Sequence, residues 1–267
     1  MIEKIKAYIE SLETEGIPQL SVNCVIFGFH EKTLKVIVNN IDLGGLTGDL
    51  PAGTPRKKIL VLPGGYIGQT ENLTDAVARI VKESTGLEKI LFKQFAVFGD
   101  ANRSFGKEFD TLNKSLTPSE KQLFKWFSKR FVSVCYLALV DFNKIELKPT
   151  QFLEAAQWLP VDKIKSLAMD HSDMVESARE TLIRELPHTP IASNLLPAKF
   201  ILPELHALAE AVLGRPIDRP NFRRKMLKSD LIVKVGQDAS GQRRPADLYK
   251  FKYGKKTNLN EELKFGF

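Results

Sequence analysis

Apolar positions along the chain recur with two different spacings, which distinguish predicted strands from predicted helices. Continuous or alternating apolar runs predict strands at residues 20–29, 34–38, 59–62, 92–98, 131–140 and 156–159. Apolar residues spaced three and four apart predict helices at residues 2–12, 73–87 and 172–185. Strands interspersed with helices in this order indicate an α+β fold around a mixed sheet.

The helix predicted at 73–87 carries signals at both of its ends. Asn72 is the expected N-cap, with Asp75 three residues later, and Gly86 can adopt the left-handed conformation that ends a helix. Two stretches rich in glycine or in polar residues, at 44–55 and 104–129, separate predicted strands, and we interpret them as inserted loops.

The last quarter of the chain has a different organisation. Three prolines within residues 187–197 predict a linker, so we divide the chain into domains at 1–190 and 191–267. Beyond the linker, the pattern predicts helices at 203–213 and 219–229, the second capped by Asp218, and strands at 231–235 and 247–251. Two helices followed by a hairpin are the order of a winged helix-turn-helix.

The net charge of +7 is confined to this last part of the chain. Residues 196–267 contain 15 Lys and Arg against 8 Asp and Glu, whereas the preceding residues contain equal numbers of the two classes. A basic surplus concentrated in one small domain indicates a polyanionic partner. For a winged helix-turn-helix, the expected partner is double-stranded DNA.

The composition also excludes several classes of protein. No apolar run approaches the roughly 18 residues of a membrane span, and the first residues lack the pattern of a secretory signal, so we expect a cytoplasmic protein that binds no membrane. Cys24 and Cys135 lie in apolar runs and are expected to be buried, reduced thiols. The four histidines lack metal-ligand spacing, so we predict no metal and no cofactor.

Residues 62–87 contain the most specific motif of the chain. The segment reads LPGGYIGQTENLTDAVARIVKESTGL and resembles the Nudix box, in which Gly, Glu and the helical pattern R-E-apolar-x-E-E-x-G-apolar follow at fixed spacing. The positions that match in register are Gly65, Glu71, Arg79, Val81, Glu83, Gly86 and Leu87. The resemblance implies a Nudix-type mixed β-sheet sandwiched by helices, which the winged helix-turn-helix follows here.

Two of the three metal-binding carboxylates of that box are replaced. In working Nudix hydrolases three carboxylates line one helix face and hold divalent metals, and the corresponding residues here are Ile80, Glu83 and Ser84. Because Mg²⁺ takes about six oxygen ligands, one glutamate is a poor anchor, and we expect no catalytic residues and no enzyme. A structural role explains the matching residues equally well, with Arg79 bracing the loop through Glu71.

Residues 195–251 resemble the winged helix of the Nudix-related transcriptional regulators, the NrtR and AraR-like group. The resemblance is carried by NFRRK at 221–225, GRPID at 214–218 and RPA-x-LY at 244–249. It implies a homodimer on a palindromic operator and a small effector bound in the Nudix cleft. The effector-binding candidates are Glu71, Arg79, Glu83, Asp100, Asn102, Arg103 and Arg130.

The helix at 219–229 is the expected recognition helix. Its Phe222, Met226 and Leu227 can face the core, which leaves a cationic side for the major groove. Near its start, Asn221 and Arg223 suit the edges of adenine and guanine. The predicted DNA-binding residues are Arg219, Asn221, Arg223, Arg224, Lys225 and Lys228 in the helix, and Arg243 and Arg244 in the wing.

The effector is left open by the residues. Members of the group sense ADP-ribose or a free pentose such as arabinose; arginines favour a diphosphate, whereas Glu, Asp and Asn suit sugar hydroxyls, and without a metal the sugar is slightly favoured. The main hypothesis is a ligand-responsive repressor of sugar catabolism or of NAD-related genes. The alternatives are an active Nudix pyrophosphohydrolase, acting for example on ADP-ribose with an accessory nucleic-acid-binding domain, and a nucleic-acid-binding module without a regulatory role.

Overall fold

The structure is a computed structural model that describes residues 16–42, 58–88, 90–106, 127–147, 154–185, 194–229, 231–238 and 245–252, with single helical positions at 7, 10, 118, 121 and 125. Several predicted features lie largely or wholly outside the described residues: the helix at 2–12, the loops at 44–55 and 104–129, the linker around residue 190, and Arg243 and Arg244. The division into domains at residue 190 stays a prediction.

A seven-stranded mixed sheet forms the first part of the chain. Its strands are β1 (Gly16–His30), β2 (Thr33–Asp42), β3 (Lys58–Val61), β4 (Gly64–Gly68), β5 (Phe92–Phe98), β6 (Val132–Val140) and β7 (Glu154–Pro160). Strand β1 pairs in parallel with β6, and its other edge pairs antiparallel with β4 and then with β2. Strand β2 also pairs with β3 and β7, and β5 pairs with β6.

Helices cover both faces of this sheet, as predicted. Helix α1 (Leu73–Thr85) packs on one face in a cluster with Val22, Cys24 and Ile26 of β1. Helix α2 (His171–Glu185) packs on the other face in a cluster with Val25 and Phe27. Because successive residues of a strand point to opposite faces and both faces are covered, residues 24–29 form a continuous apolar run.

The C-terminal part forms the predicted winged helix. Its elements are β8 (Phe200–Ile201), α3 (Leu202–Leu213), α4 (Arg219–Lys228), β9 (Ile232–Asp238) and β10 (Ala246–Phe251). The three strands form an antiparallel sheet in the order β8-β10-β9. The sequence pattern does not predict β8, because two residues cannot display a period.

Strand β4 also differs from the prediction, which places a loop between the strand at 59–62 and α1. The residues GGYIG lack apolar alternation, yet they pair with β1. Gly64 comes so close to β1 that an added Cβ would lie 2.5 Å from Nδ2 of Asn23. A glycine-rich segment can therefore pair here because its partner needs the space that a side chain would take.

Helix α1 begins and ends at the two residues that the sequence predicts. Gly86 adopts the left-handed conformation, with φ 73°, and its N–H donates to the carbonyl of Lys82. Asn72 is the N-cap in its extended backbone, but its side chain makes no cap hydrogen bond and instead donates to Asp75 Oδ2 at 3.1 Å. The helix therefore begins after Asn72 as predicted, while the Asn72 side chain contacts Asp75 and not the free N–H groups of the first turn.

A buried histidine ties the start of α2 to the sheet. His171 is almost fully buried, and its Nδ1 accepts a hydrogen bond from the backbone N–H of Leu62 at 3.1 Å. Burial, together with the nearby charge of Arg103, lowers the pKa of His171 from 6.5 to about 3. The imidazole therefore stays neutral in the folded protein, in the tautomer whose Nδ1 is free to accept.

This buried histidine predicts a specific loss of stability in acid. Below pH 6.5 His171 is protonated in the unfolded chain, whereas in the folded protein it stays neutral down to about pH 3. The contribution of neutral His171 to stability is therefore fully present above pH 6.5 and decreases as the pH falls towards 3. We expect the free energy of unfolding near pH 5 to fall about 1.4 kcal/mol per pH unit more steeply in the wild type than in His171→Asn. Urea unfolding at several pH values measures it, and equal slopes would contradict the assignment.

Candidate effector cleft and nucleic-acid interface

The loop between β4 and α1 is held by one ion pair. Arg79 donates from Nε to Glu71 Oε1 and from Nη2 to Glu71 Oε2, each at 2.8 Å, and also from Nη2 to the carbonyl of Tyr66 at 2.9 Å. The Glu71 carboxylate also accepts from the backbone N–H of Gly68 at 3.1 Å. Bidentate geometry fixes both side chains. The hydrogen bonds from Arg79, opposed by partial burial, keep the pKa of Glu71 below its usual value.

The three positions that would hold metals do not suit a divalent cation. Ile80 is 2% exposed and packs in the apolar cluster under α1, where its side chain lies 3.4 Å from the Cβ position of Gly65. The Ser84 hydroxyl is buried and donates to the carbonyl of Ile80 at 2.8 Å. Glu83 is half exposed and lies 3.8 Å from Arg79 Nη1. One exposed carboxylate beside a cation cannot supply the oxygen ligands that Mg²⁺ requires.

The second group of candidates lies where β5 ends and β6 begins. Arg130 is exposed and donates to the carbonyls of Gly99, at 2.6 Å, and Asp100, at 3.2 Å. The Asp100 carboxylate accepts from the backbone N–H of Asn102, whose side chain is exposed. These contacts hold the loop in a turn from which Asp100, Asn102 and Arg130 reach solvent.

Arg103 has a different environment from its neighbours. Its side chain is 3% exposed, and its Nε donates to both carboxylate oxygens of Asp170, at 3.0 and 2.8 Å. Its backbone carbonyl accepts from the N–H of Phe131 at 3.1 Å. Among the seven effector candidates, Arg103 is thus directed into the protein.

The two groups of candidates are linked through a single residue. Tyr66 is the link: its carbonyl accepts from Arg79, and its ring contacts the ring of Phe131 with centroids 5.7 Å apart. Phe131 directly follows Arg130, and its N–H donates to the carbonyl of Arg103. Sequence reasoning does not identify Tyr66, Asp170 or His171. The MDHSDMVESA segment at 169–178 carries a signal for the last two, because a paired acid and a histidine precede a helix there.

The candidate recognition helix α4 presents the predicted cations to solvent. Asp218 caps it, accepting at Oδ1 from the N–H of Asn221 at 2.9 Å, as predicted. The exposed cationic side chains are Arg219, Arg223, Arg224, Lys225 and Lys228. Asn221 is half-buried, and its side-chain oxygen accepts from Arg224 Nη2 at 2.9 Å.

The apolar side of α4 differs from the prediction at one position. Phe222 and Met226 pack against the core cluster, as expected. Leu227 is 47% exposed and so does not face the core. Residues 222 and 226 lie one turn apart, whereas residue 227 is rotated about 100° further around the helix, beyond the narrow stripe that α3 covers.

The hairpin beside α4 adds one cation that the sequence analysis does not single out. Lys234 on β9 forms an ion pair with Asp247 on β10, with Nζ 2.6 Å from Oδ1. Asp247 also accepts from Gln237, and the charge of Arg223 contributes to keeping the pKa of Asp247 low.

Two further features concern only the part of the chain that the structure describes. No group of three or more His, Cys, Asp or Glu side chains there could hold a metal ion. No helix there is long and apolar enough to cross a membrane.

The Arg79–Glu71 pair predicts a measurable contribution to stability. Replacing Arg79 with Met leaves the Glu71 carboxylate, which is 19% exposed, without its main donor, and we expect a loss of about 1 to 2 kcal/mol at neutral pH, since Arg79 itself is partly solvated. The loss should diminish in acid as Glu71 is protonated, because its folded pKa is the lowered one. Urea unfolding measures both. The matched control is Glu83→Gln on the same helix, and a loss there as large as that of Arg79→Met would contradict the bracing role.

Comparison with known families supports both halves of this description. The NUDIX domain model matches residues 18–181, which is more than half of the chain. The model described as the NrtR DNA-binding winged helix domain matches residues 192–251. The two models follow one another in the same order as the seven-stranded sheet and the winged helix.

The chain is also similar to proteins that contain both domains. It is 26% identical over 238 residues to the ADPR responsive transcriptional repressor NtrR of Acinetobacter baylyi, across 88% of this chain and 82% of that protein. The crystal structure of Shewanella oneidensis NrtR is 28% identical, with a TM-score of 0.61 over 88% of this chain and 94% of that one. The same protein complexed with a 27mer DNA gives a TM-score of 0.61 at 26% identity and the same coverage.

A more distant structure shares the fold. A MutT/nudix family protein from Enterococcus faecalis is 19% identical, with a TM-score of 0.61 over 92% of this chain and 93% of that one. The likeness extends over the sheet domain and the winged helix together. The chain therefore belongs to the NUDIX family and carries an NrtR-like winged-helix DNA-binding domain after its NUDIX domain.

Proposed function

We propose that this protein is a transcriptional repressor whose NUDIX cleft binds an effector without hydrolysing it and whose winged helix binds operator DNA. One observation carries the proposal: a NUDIX box with Ile80 and Ser84 at metal positions stands on the same chain as a capped, cationic helix α4. The Acinetobacter baylyi relative is named an ADPR responsive transcriptional repressor, which supports both parts of the proposal.

The DNA-binding part of the proposal rests on how α4 is presented. Its cations are exposed along one side, while Phe222 and Met226 hold the other side to α3 and the small sheet. A helix of this kind lies in the major groove in helix-turn-helix proteins, with its first residues at the base edges. We propose Asn221 and Arg223 for base contacts, and the remaining predicted arginines and lysines, including Arg243 and Arg244, for phosphates.

A single winged helix reads a short segment of DNA, and specific operators are read by symmetric pairs. We therefore propose a homodimer with two-fold symmetry on a palindromic operator, as the family resemblance implies. The Shewanella oneidensis protein that was crystallised with a 27mer DNA supports a duplex ligand of that class.

We propose that the NUDIX domain does not catalyse hydrolysis. A metal-dependent hydrolase must hold its cations with carboxylates, and here Ile80 is packed in the core and Ser84 is bonded to its own helix. The remaining glutamate of the box, Glu83, lies beside Arg79, so its charge is already partly balanced. Binding without turnover is the mode of action that these residues support.

For the effector, we propose ADP-ribose. The name of the Acinetobacter baylyi relative describes a response to ADPR, which outweighs the slight preference for a sugar drawn from residue types. Arg130 is the exposed cation of the cleft loop and suits a diphosphate, while Asp100 and Asn102 beside it suit ribose hydroxyls. Free arabinose is the competing effector.

Ligand binding and turnover can be separated in one set of experiments. With ADP-ribose at about 100 times its Kd and without Mg²⁺, we expect a stabilisation of about 2.7 kcal/mol, or about 5 to 10 °C in Tm. With Mg²⁺ added, chromatography should show no AMP formed from ADP-ribose. If arabinose raises the Tm and ADP-ribose does not, the effector is the sugar. If AMP is released in a metal-dependent manner, the protein is a hydrolase.

The proposed DNA contacts predict that two substitutions reduce the affinity for DNA in different ways. Replacing Arg223 with Ala should reduce the preference for an operator selected from random duplexes by about 1 to 3 kcal/mol. Replacing Lys252, which follows β10, should weaken all duplexes about equally and reduce the salt dependence by about one charge. Fluorescence anisotropy on operator and unrelated DNA measures both. Equal losses for the two variants would remove Arg223 from the base-reading group, and sequence-blind binding by the wild type would favour a non-regulatory module.

A further inference from the structure

Arg179 of helix α2 makes a hydrogen bond across the boundary between the two domains. Its Nε donates to the backbone carbonyl of Val212 at 2.8 Å, and Val212 belongs to the last turn of α3. The last carbonyls of a helix lack partners within the helix, and a cation at that end is favourable. Gly214 caps the end of α3 through its backbone N–H, but no basic residue occupies the last turn of α3, and Arg179 supplies that cation from the NUDIX domain.

The turn after α3 is shaped to receive this side chain. A Cβ added to Gly214 would lie 2.2 Å from Nη2 of Arg179, so the guanidinium occupies the space beside a bare backbone. Gly214 also has a φ of 67°, the left-handed conformation that glycine adopts without strain. The guanidinium is held in place from its other side by Glu176, which accepts from Nη1 at 3.1 Å.

This turn leads directly to the recognition helix and is hydrogen-bonded to α3. The N–H of Ile217 donates to Glu210 at 2.9 Å, and the carbonyl of Ile217 lies 2.9 Å from Nε2 of His206, both residues of α3. Asp218 follows and caps α4. The end of α3 therefore sets where α4 begins.

The first turn of the same helix α2 is bonded to the candidate effector cleft. Asp170 holds the buried Arg103, three residues beyond Asp100, and His171 accepts from the N–H of Leu62, two residues before β4. The nine residues from Asp170 to Arg179 span about 14 Å of helix, since each residue rises about 1.5 Å. One straight element therefore touches the cleft at one end and the DNA-binding domain further along.

The packing around α2 favours small coupled shifts over independent motion. Buried Met174, Val175, Ala178 and Leu182 belong to one apolar cluster that also contains residues of the sheet and of α3. Interfaces between domains that move freely are usually more polar than this. Close-packed helices instead slide over one another by small amounts, which changes the position of whatever is fixed to their ends.

We propose that Arg179 is a positioning residue that transmits effector binding from the cleft to the recognition helix, because it fixes the end of α3 to the helix whose first turn contacts the cleft. The role rests on the proposed function. In this proposal, the effector rearranges the Arg103–Asp170 ion pair at the start of α2. The contact of Arg179 with the turn at Gly214 then transmits the resulting shift of α2 to α4.

The test measures coupling, which is the ratio of operator affinities with and without ADP-ribose. In the wild type we expect about a 5- to 150-fold ratio, the usual range for allosteric coupling. Arg179→Met and Gly214→Ala disturb the same contact from opposite sides, and each should reduce the ratio to less than about twofold. The affinity of the free protein for ADP-ribose, measured by calorimetry, should stay within about twofold of wild type, since neither residue contacts the cleft loop.

The matched control is Arg184→Met, because Arg184 lies on the same helix and its hydrogen bond goes to Thr181 within α2. This variant should show the same ratio of operator affinities as the wild type. Arg179→Lys, which keeps a cationic donor, should show a ratio between those of the wild type and Arg179→Met. A merely structural Arg179 would weaken operator binding equally with and without ADP-ribose.

Three results would decide against the inference in different ways. Wild-type coupling in folded Arg179→Met overturns the role of Arg179 and leaves the proposed function intact. Loss of coupling in Arg184→Met as well shows that α2 tolerates no change, and it overturns the assignment to Arg179. A wild type that binds operator with the same affinity at every ADP-ribose concentration overturns the proposed function, and with it the transmission. Thermal unfolding of each variant confirms that the protein measured is folded.

Discussion

The burial of α2 between the sheet and the winged helix is the constraint on which the arrangement of both domains depends. Its apolar side chains belong to a single cluster that includes Phe27 of β1 and Leu208 of α3. Apolar burial stabilises in proportion to the area removed from water, so each domain stabilises the position of the other through this helix. The polar contacts at its first turn and at Arg179 then fix the position of α2 relative to its neighbours. Hydrogen bonds hold specific pairs of atoms together, whereas apolar contacts do not.

The NUDIX box shows what remains of a metal site when its ligands are replaced. The scaffold is retained: Arg79 and Glu71 brace the loop, and Gly86 ends α1. The two altered positions have been absorbed into packing and internal hydrogen bonding, with Ile80 in the core and Ser84 bonded to the helix backbone. Of the three positions, Glu83 alone carries a carboxylate, and it lies 3.8 Å from Arg79.

The elements and domain order followed from the sequence because periodicity and capping are local properties. Asp218 and Gly86 have their predicted roles, since a helix end is decided by residues within one turn of it. Strand β4 was not predictable from its own composition, because its pairing depends on the space beside Asn23 in a distant strand. Leu227 was misplaced for a related reason: an apolar residue is buried only where a neighbour covers it, and α3 covers a narrow stripe of α4.

By itself, the sequence determined the NUDIX scaffold and the concentration of positive charge after residue 196, and it placed Ile80 and Ser84 at positions where the resemblance to the NUDIX box predicts carboxylates. Only the tertiary structure decided which of the candidate charges are available. Arg103 is paired with Asp170, 67 residues away, and Arg179 reaches Val212, 33 residues away. Contacts over such separations leave no periodic or local trace in the chain, because they arise only when separately folded elements pack together.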